Sequence, residues 1–208
     1  MKLRYLCITV ALGLLAGCLG PGTDHTRFYV LSTPASTPTS VPVEGDKVFL
    51  VGLRVTSAEY LRCKQMIVEV GPNQLRLSEE NVWKETPEAG FRRVLAERLA
   101  KDLPECELIS LPSSLTNKPE FILEIDLRSL QGRLEQKSEA EVSAEVRILD
   151  ATSRLLERDE LRQTSPWSPT GAVDGYAALA GAESRAAADL ADAIGQKILA
   201  CHRHNSGR

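Results

Sequence analysis

The sequence predicts an α+β fold: a mostly antiparallel sheet covered on one face by two helices, in a single domain. Three observations point there. FILEIDLRSL (121–130) and EVSAEVRIL (141–149) alternate apolar and polar residues with period two, as strands with one wet face do. PEAGFRRVLAERLAKDL (87–103) and DGYAALAGAESRAAADLADAIGQKILA (174–200) repeat apolar residues at helical spacing. Once an N-terminal leader is set aside, about 190 residues remain, which suits one compact domain better than two.

The elements follow in order. RFYVLS (27–32) reads as a first strand, and the Pro-, Ser- and Thr-rich stretch 33–46 as a loop. KVFLVGLRVTS (47–57) is a second strand. MIVEV (66–70) and QLRLS (74–78) are two strands around the turn GPN. In the first helix Phe91, Val94, Leu95, Leu99 and Leu103 share a face, with Pro87 at its start and Pro104 beyond its end. ELISL (107–111) is a short strand. After 121–130 and 141–149, RLLERDELRQTS (154–165) pairs as a third member of that group. The last helix carries Tyr176, Ala180, Ala187, Leu190, Ile194 and Ile198 on one stripe, and its small residues let it lie close to a sheet.

The first 26 residues form a different kind of segment. Lys2 and Arg4 precede an apolar run from Leu6 to Leu15, closed by Ala16, Gly17 and Cys18. That is the charge, length and small-residue exit of a secretory signal peptide over 1–17. The run is shorter than the ~20 residues a membrane-spanning helix requires. A thiol after Leu15-Ala16-Gly17 resembles the bacterial lipobox, in which the cysteine is acylated and becomes the mature N-terminus. The resemblance makes Cys18 a lipidation site, and two or more acyl chains hold a protein on a bilayer where one does so only marginally. Residues 18–26 then read as a lipidated N-terminus and tether, 27–201 as the folded domain and 202–208 as a polar, flexible tail. Leu19, in place of an aspartate after the cysteine, favours the outer membrane and its periplasmic face over the inner membrane.

Composition excludes some classes of partner. The formal net charge is −3 with no long basic run, which argues against nucleic acid and against electrostatic binding to anionic lipid. Beyond the leader and Cys18, three cysteines remain: Cys63, Cys106 and Cys201. At most one pair can form within the chain, and the sequence does not choose it.

Catalytic patterns are scarce. No G-x-S-x-G or G-x-x-x-x-G-K-[ST] occurs, so neither a serine hydrolase nor a nucleotide-binding subunit is indicated. His25 falls in the tether, and His202 and His204 in the tail. Cys201, His202 and His204 could hold a soft metal, but a polar C-terminus is the simpler reading. Glu120, Glu124 and Asp126 beside Glu139, Glu141 and Glu145 could be paired catalytic carboxylates, yet their alternation assigns most of them to the solvated sheet face. No cofactor and no metal are expected. Trp167, in SPWSP, is a candidate partner contact; a side chain tucked over the sheet edge is the equal alternative.

Taken in order, these segments resemble the ABC-type transport auxiliary lipoproteins, the PqiC-like family. The matching features are the lipobox, Phe28-Tyr29-Val30-Leu31, Tyr60-Leu61, Gln65-Met66-Ile67-Val68, Trp83, Val94-Leu95-Ala96-Glu97-Arg98-Leu99 and the closing helix from Tyr176 to Ile194. Ala58 stands where the family has a proline, and Lys84-Glu85-Thr86-Pro87 blurs its acidic-proline pair. The resemblance implies a non-enzymatic part of an envelope transport machine. Its partners would be an MCE-domain (PqiB-like) periplasmic protein and an inner-membrane transporter component, with homo-oligomeric rings conceivable, in a system that moves lipid between membranes and supports envelope integrity. Two rivals are a lipoprotein that carries lipid in a pocket of its own and an outer-membrane assembly factor.

Overall fold

A computed structural model describes residues 25–34, 49–112, 118–134, 138–169 and 174–206. Cys18, the leader and most of the tether lie outside the described residues, as does 35–48 of the Pro-rich stretch and its flank.

The strands are β1 (Arg27–Tyr29), β2 (Phe49–Ser57), β3 (Gln65–Gly71), β4 (Gln74–Trp83), β5 (Cys106–Ser110), β6 (Phe121–Leu134), β7 (Ser138–Asp150) and β8 (Leu155–Pro166). The helices are α1 (Pro87–Asp102) and α2 (Asp174–Ser206). The α+β class and the two helices stand as expected. The sheet, however, is mixed: β2 runs parallel to both β5 and β6, β3 parallel to β6, and β1 parallel to β4. Antiparallel pairing holds between β3 and β4, β6 and β7, and β7 and β8. The physical reason is that period two fixes which face a strand buries, not which neighbour or direction it takes.

Strand β6 organises the sheet. On one side β7 pairs along its whole length, from Phe121↔Asp150 to Leu134↔Ser138. On the other side two strands share the edge. Strand β2 takes the first half, Val51↔Phe121 to Ser57↔Leu127, and β3 takes Val68↔Gly132 and Glu69↔Arg133. A 3-10 turn at Glu59–Arg62 fills the fork between them. Its approach is tied down by the Ala58 N–H, which donates to the Leu127 carbonyl at 2.9 Å.

The register of β6 and β7 shifts between Leu127 and Ser129, leaving Arg128 unpaired in a bulge. Before the bulge Phe121, Leu123, Ile125 and Leu127 face the core. After it Ser129 to Gly132 are all buried, but Leu130 and Gly132 are the ones that face the core, while Ser129 and Gln131 bond to Glu141 and Glu69. A bulge inserts one residue and so changes the phase of the alternation.

Both helices cover the face that carries these apolar residues. In α1 the Thr86 hydroxyl accepts from the Ala89 N–H at 3.4 Å, and Pro87 opens the first turn, where its missing N–H is no loss. Phe91, Val94, Leu95 and Leu99 are fully covered between the sheet and α2. Helix α2 has 33 residues, a span of ~50 Å. Leu179, Ala187, Leu190, Ile194 and Ile198 are buried in its packing against β7 and β8. The helix continues to Ser206, so the segment from 202 that reads as a polar tail is helical there. The reason is visible at His202, whose imidazole stacks on Phe49 with centroids 4.1 Å apart, giving the last turns an apolar seat.

Candidate docking surface

The face of the sheet opposite the two helices carries arginines and carboxylates placed by the register of five strands. Glu124 on β6 accepts from Arg54 on β2 at 2.5 Å and from Arg147 on β7 at 3.1 Å. Glu141 on β7 is met by Arg133 at 3.0 Å, by Arg162 of β8 at 2.5 Å and by the Ser129 hydroxyl at 3.0 Å. Glu69 of β3 takes Arg133 Nε at 3.0 Å and the Gln131 amide at 3.0 Å.

The bulge has a chemical role in this lattice. Asp126 and Glu145 sit directly opposite one another, a like-charge pairing that destabilises a sheet on its own. Arg128, freed from the ladder, brings Nη2 to 3.0 Å from each carboxylate. Arg158 of β8 adds a further contact to Glu145 at 3.1 Å. The hydrogen bond from Arg128 and the two arginine charges hold the Glu145 carboxyl below its ordinary value.

Tyr60, in the fork turn, closes the lattice towards β3. Its hydroxyl lies 2.8 Å from the Arg128 carbonyl, to which it donates, and 3.1 Å from Gln131 Oε1. Burial, with the charges of Glu141 and Glu69, pushes the phenol up to about 12, so it remains a donor.

Such pairs add little to stability individually, ~0–1 kcal/mol each, because the arginines are about half exposed. What they create is a rigid face patterned in both signs. Arginine is enriched in protein interfaces, and complementary charge sets register and partner choice.

The six carboxylates weighed as catalytic candidates are not a matched pair. Glu124, Asp126, Glu141 and Glu145 are held by arginines, and Glu120 lies 3.4 Å from His202. Among the described residues no group of three or more His, Cys, Asp or Glu could hold a metal. Cys63, Cys106 and Cys201 are free thiols. Burial pushes Cys106 up to about 12 and raises Cys201, which keeps both thiols protonated and unreactive.

Trp167 is half-buried where β8 leaves the sheet, and packs against the core beside Gly132 and Leu179. Its N–H on the backbone donates to the Ser138 carbonyl at 3.1 Å, while its indole nitrogen is buried without a partner. With Val68, Arg76, Leu134, Pro169, Gly175 and Tyr176 it lines an open groove of about 140 Å³ at the start of α2.

Sequence reasoning missed two features. The arginine lattice was latent in the R-x-E and E-x-R spacings of neighbouring strands, but needed their register to become pairs. The second is Glu183, which is 0 % exposed with both carboxylate oxygens unpartnered. Its signal was present: 183 falls on the stripe 176, 180, 187, 190, where only apolar residues are expected.

The family described as ABC-type transport auxiliary lipoprotein component has a model that matches residues 29–195, most of the chain. The chain belongs to this family. The auxiliary component is therefore a member of a lipoprotein family associated with membrane transport, and not of a known enzyme family. Among its described residues no helix is long and apolar enough to cross a membrane.

Solved structures share its fold. Protein XCC0632 from Xanthomonas campestris, described as a DUF330 protein, is 14 % identical over 88 % of this chain and 100 % of its own, with a TM-score of 0.72. A structure described only as an uncharacterized protein is 16 % identical over 83 % of this chain and 98 % of its own, with a TM-score of 0.66. At these identities the likeness speaks for the fold alone. No curated protein matches the chain in sequence.

Proposed function

We propose that this auxiliary component is anchored to the outer membrane through acylated Cys18, faces the periplasm, and works by contact within an MCE-type, PqiABC-like intermembrane lipid transport system that supports envelope integrity. The lipobox-like Leu15-Ala16-Gly17-Cys18, the family membership and Leu19 support the anchor and its membrane. The arginine lattice on β6, β7 and β8 is the surface offered to the MCE-domain partner, and Trp167, in the groove at the start of α2, is a secondary contact.

The observation that favours docking over carriage is the filled space beneath α2. Gly195 lies so close to α1 that an added β-carbon would meet Leu99 Cδ2 at 2.9 Å, and Ala182, Ala186 and Ala191 are fully covered. A lipid carrier needs a concave apolar cavity of several hundred Å³, roughly 300–1,000. The grooves beside α2 are open, and the one bounded by Leu155, Leu156, Cys201 and His204 holds about 420 Å³ at the surface.

The test is cross-linking in intact cells followed by affinity capture from solubilised membranes. Recovery of an MCE-domain protein, reduced by charge reversal at Glu145, supports the proposal. Capture of no such protein, or of a polymer-assembly complex instead, contradicts it.

A further inference from the structure

The first strand and the residue that follows it carry apolar side chains that the core does not use. Phe28 is 60 % exposed and Val30 54 %, whereas their neighbours Tyr29 and Leu31 pack into or against the core. Two exposed apolar residues are ordinary on a protein surface. Their place in the chain is not: Phe28 is ten residues from Cys18, a covalent reach of at most ~35 Å.

The surroundings of Phe28 are cationic. Lys84 Nζ lies over its ring, 4.6 Å from the centroid. The Lys84 N–H donates to the Tyr29 carbonyl at 2.7 Å, and Lys64 Nζ donates to the Lys84 carbonyl at 3.2 Å. One ammonium, that of Lys84, is thus held by the Phe28 ring itself, and a second, that of Lys64, by the Lys84 carbonyl next to it. Exposed Glu79 and Glu80, further back along β4, bound the patch.

The net charge of −3 gives the whole chain no attraction to anionic lipid, but an apolar tip with two lysines at its side fits locally the boundary between acyl chains and phosphates of a bilayer. We infer that Phe28 and Val30, flanked by Lys64 and Lys84, form a foot that rests in the membrane interface and fixes the orientation of the domain above its anchor. The inference rests on the acylation of Cys18, which brings this edge to the bilayer. Orientation matters to the docking reading because a free tether alone leaves the arginine lattice pointing anywhere.

The experiment uses the full mature lipoprotein in vesicles of phosphatidylethanolamine and phosphatidylglycerol, with and without brominated acyl chains. Phe28→Trp is placed in a Trp167→Phe background, where Trp83 is buried and serves as an internal reference. Leu155→Trp in the same background is the control. Leu155 is five strand spacings away, ~24 Å, and belongs to the opposite end of the long strands.

Brominated lipid should cut the emission of the indole introduced at 28 by about half, the effect of a side chain seated in the interface, and leave the control unchanged. Co-flotation without quenching at 28 overturns the foot and leaves the anchor standing. Shielding at 28 that arises only when a periplasmic protein is added makes this edge a protein interface and also overturns it. Failure to float at all removes anchor and foot together.

Discussion

Trp167 lies against the bare α-carbon of Gly132: a β-carbon at 132 would come within 3.0 Å of the indole Cζ2 and 2.9 Å of Leu179 Cδ1. One missing side chain on β6 thus lets the end of β8 and the start of α2 meet over the sheet. The SPWSP segment is fixed from below, and only its rim faces outward.

Filling that gap should be destabilising. Gly132→Val adds favourable strand propensity but forces two side chains apart, and overpacking of this kind costs ~1–3 kcal/mol. A thermal melt checks it. An unchanged or higher midpoint would show that Trp167 and Leu179 can move aside freely.

The two helices are joined by an ion pair close to the core. Arg98, 6 % exposed, donates from Nε to Asp192 Oδ1 at 2.8 Å and from Nη2 to Oδ2, with Asp102 at 3.8 Å. Asp192→Ala leaves the guanidinium with the weaker partner and should cost ~1–3 kcal/mol in urea unfolding. Combining it with Arg98→Met should recover much of the loss, since neither charge of the pair then remains. Two single losses that simply add would show that the pair does not act as a unit.

Glu183 gives the fold a pH dependence of defined sign. Burial raises its carboxyl well above the ordinary value, so the folded state holds a proton that the unfolded state releases. The fold is therefore unpenalised below the unfolded value, ~4.3, and loses stability as pH rises from there towards the folded value. Other carboxylates, such as Asp150, held at about 2 by bonds from Thr152 and Arg154, act in the opposite sense. The comparison that isolates the effect is Glu183→Gln against wild type. The variant should gain on wild type as pH goes from ~4 to ~7, with a slope of at most ~1.4 kcal/mol per unit. A difference independent of pH would mean that Glu183 is ionised in the fold.

Charge reversal on the open face should separate stability from partnership. Glu145→Lys removes the carboxylate that Arg128 and Arg158 share, yet exposed pairs contribute only ~0–1 kcal/mol each. Urea unfolding should change within that range while capture of the proposed MCE-domain partner falls. Equal capture by both proteins would move the docking surface elsewhere.

Particular residues show how far the sequence could be read. The alternation in Phe121–Leu127 and Val142–Ile148 is complete, and both strands and their buried faces lie as expected. The helix limits at Pro87 and near Leu103 follow from proline and capping chemistry that acts locally. The parallel partners of β2 were not legible, because nothing in Val51–Ser57 records which strand lies beside it. The phase change at Arg128 was legible in outline, since Leu127 and Leu130 stand three apart where two is the period. His202 reads as tail, and only the position of Phe49 makes it part of the packed domain.

All of the functional reading depends on what is attached at position 18. Intact-mass spectrometry of the protein extracted from membranes measures it directly. The account predicts a chain that begins at Cys18 and carries two or three acyl groups. An unmodified thiol at that position, or an intact leader ahead of it, would contradict the account.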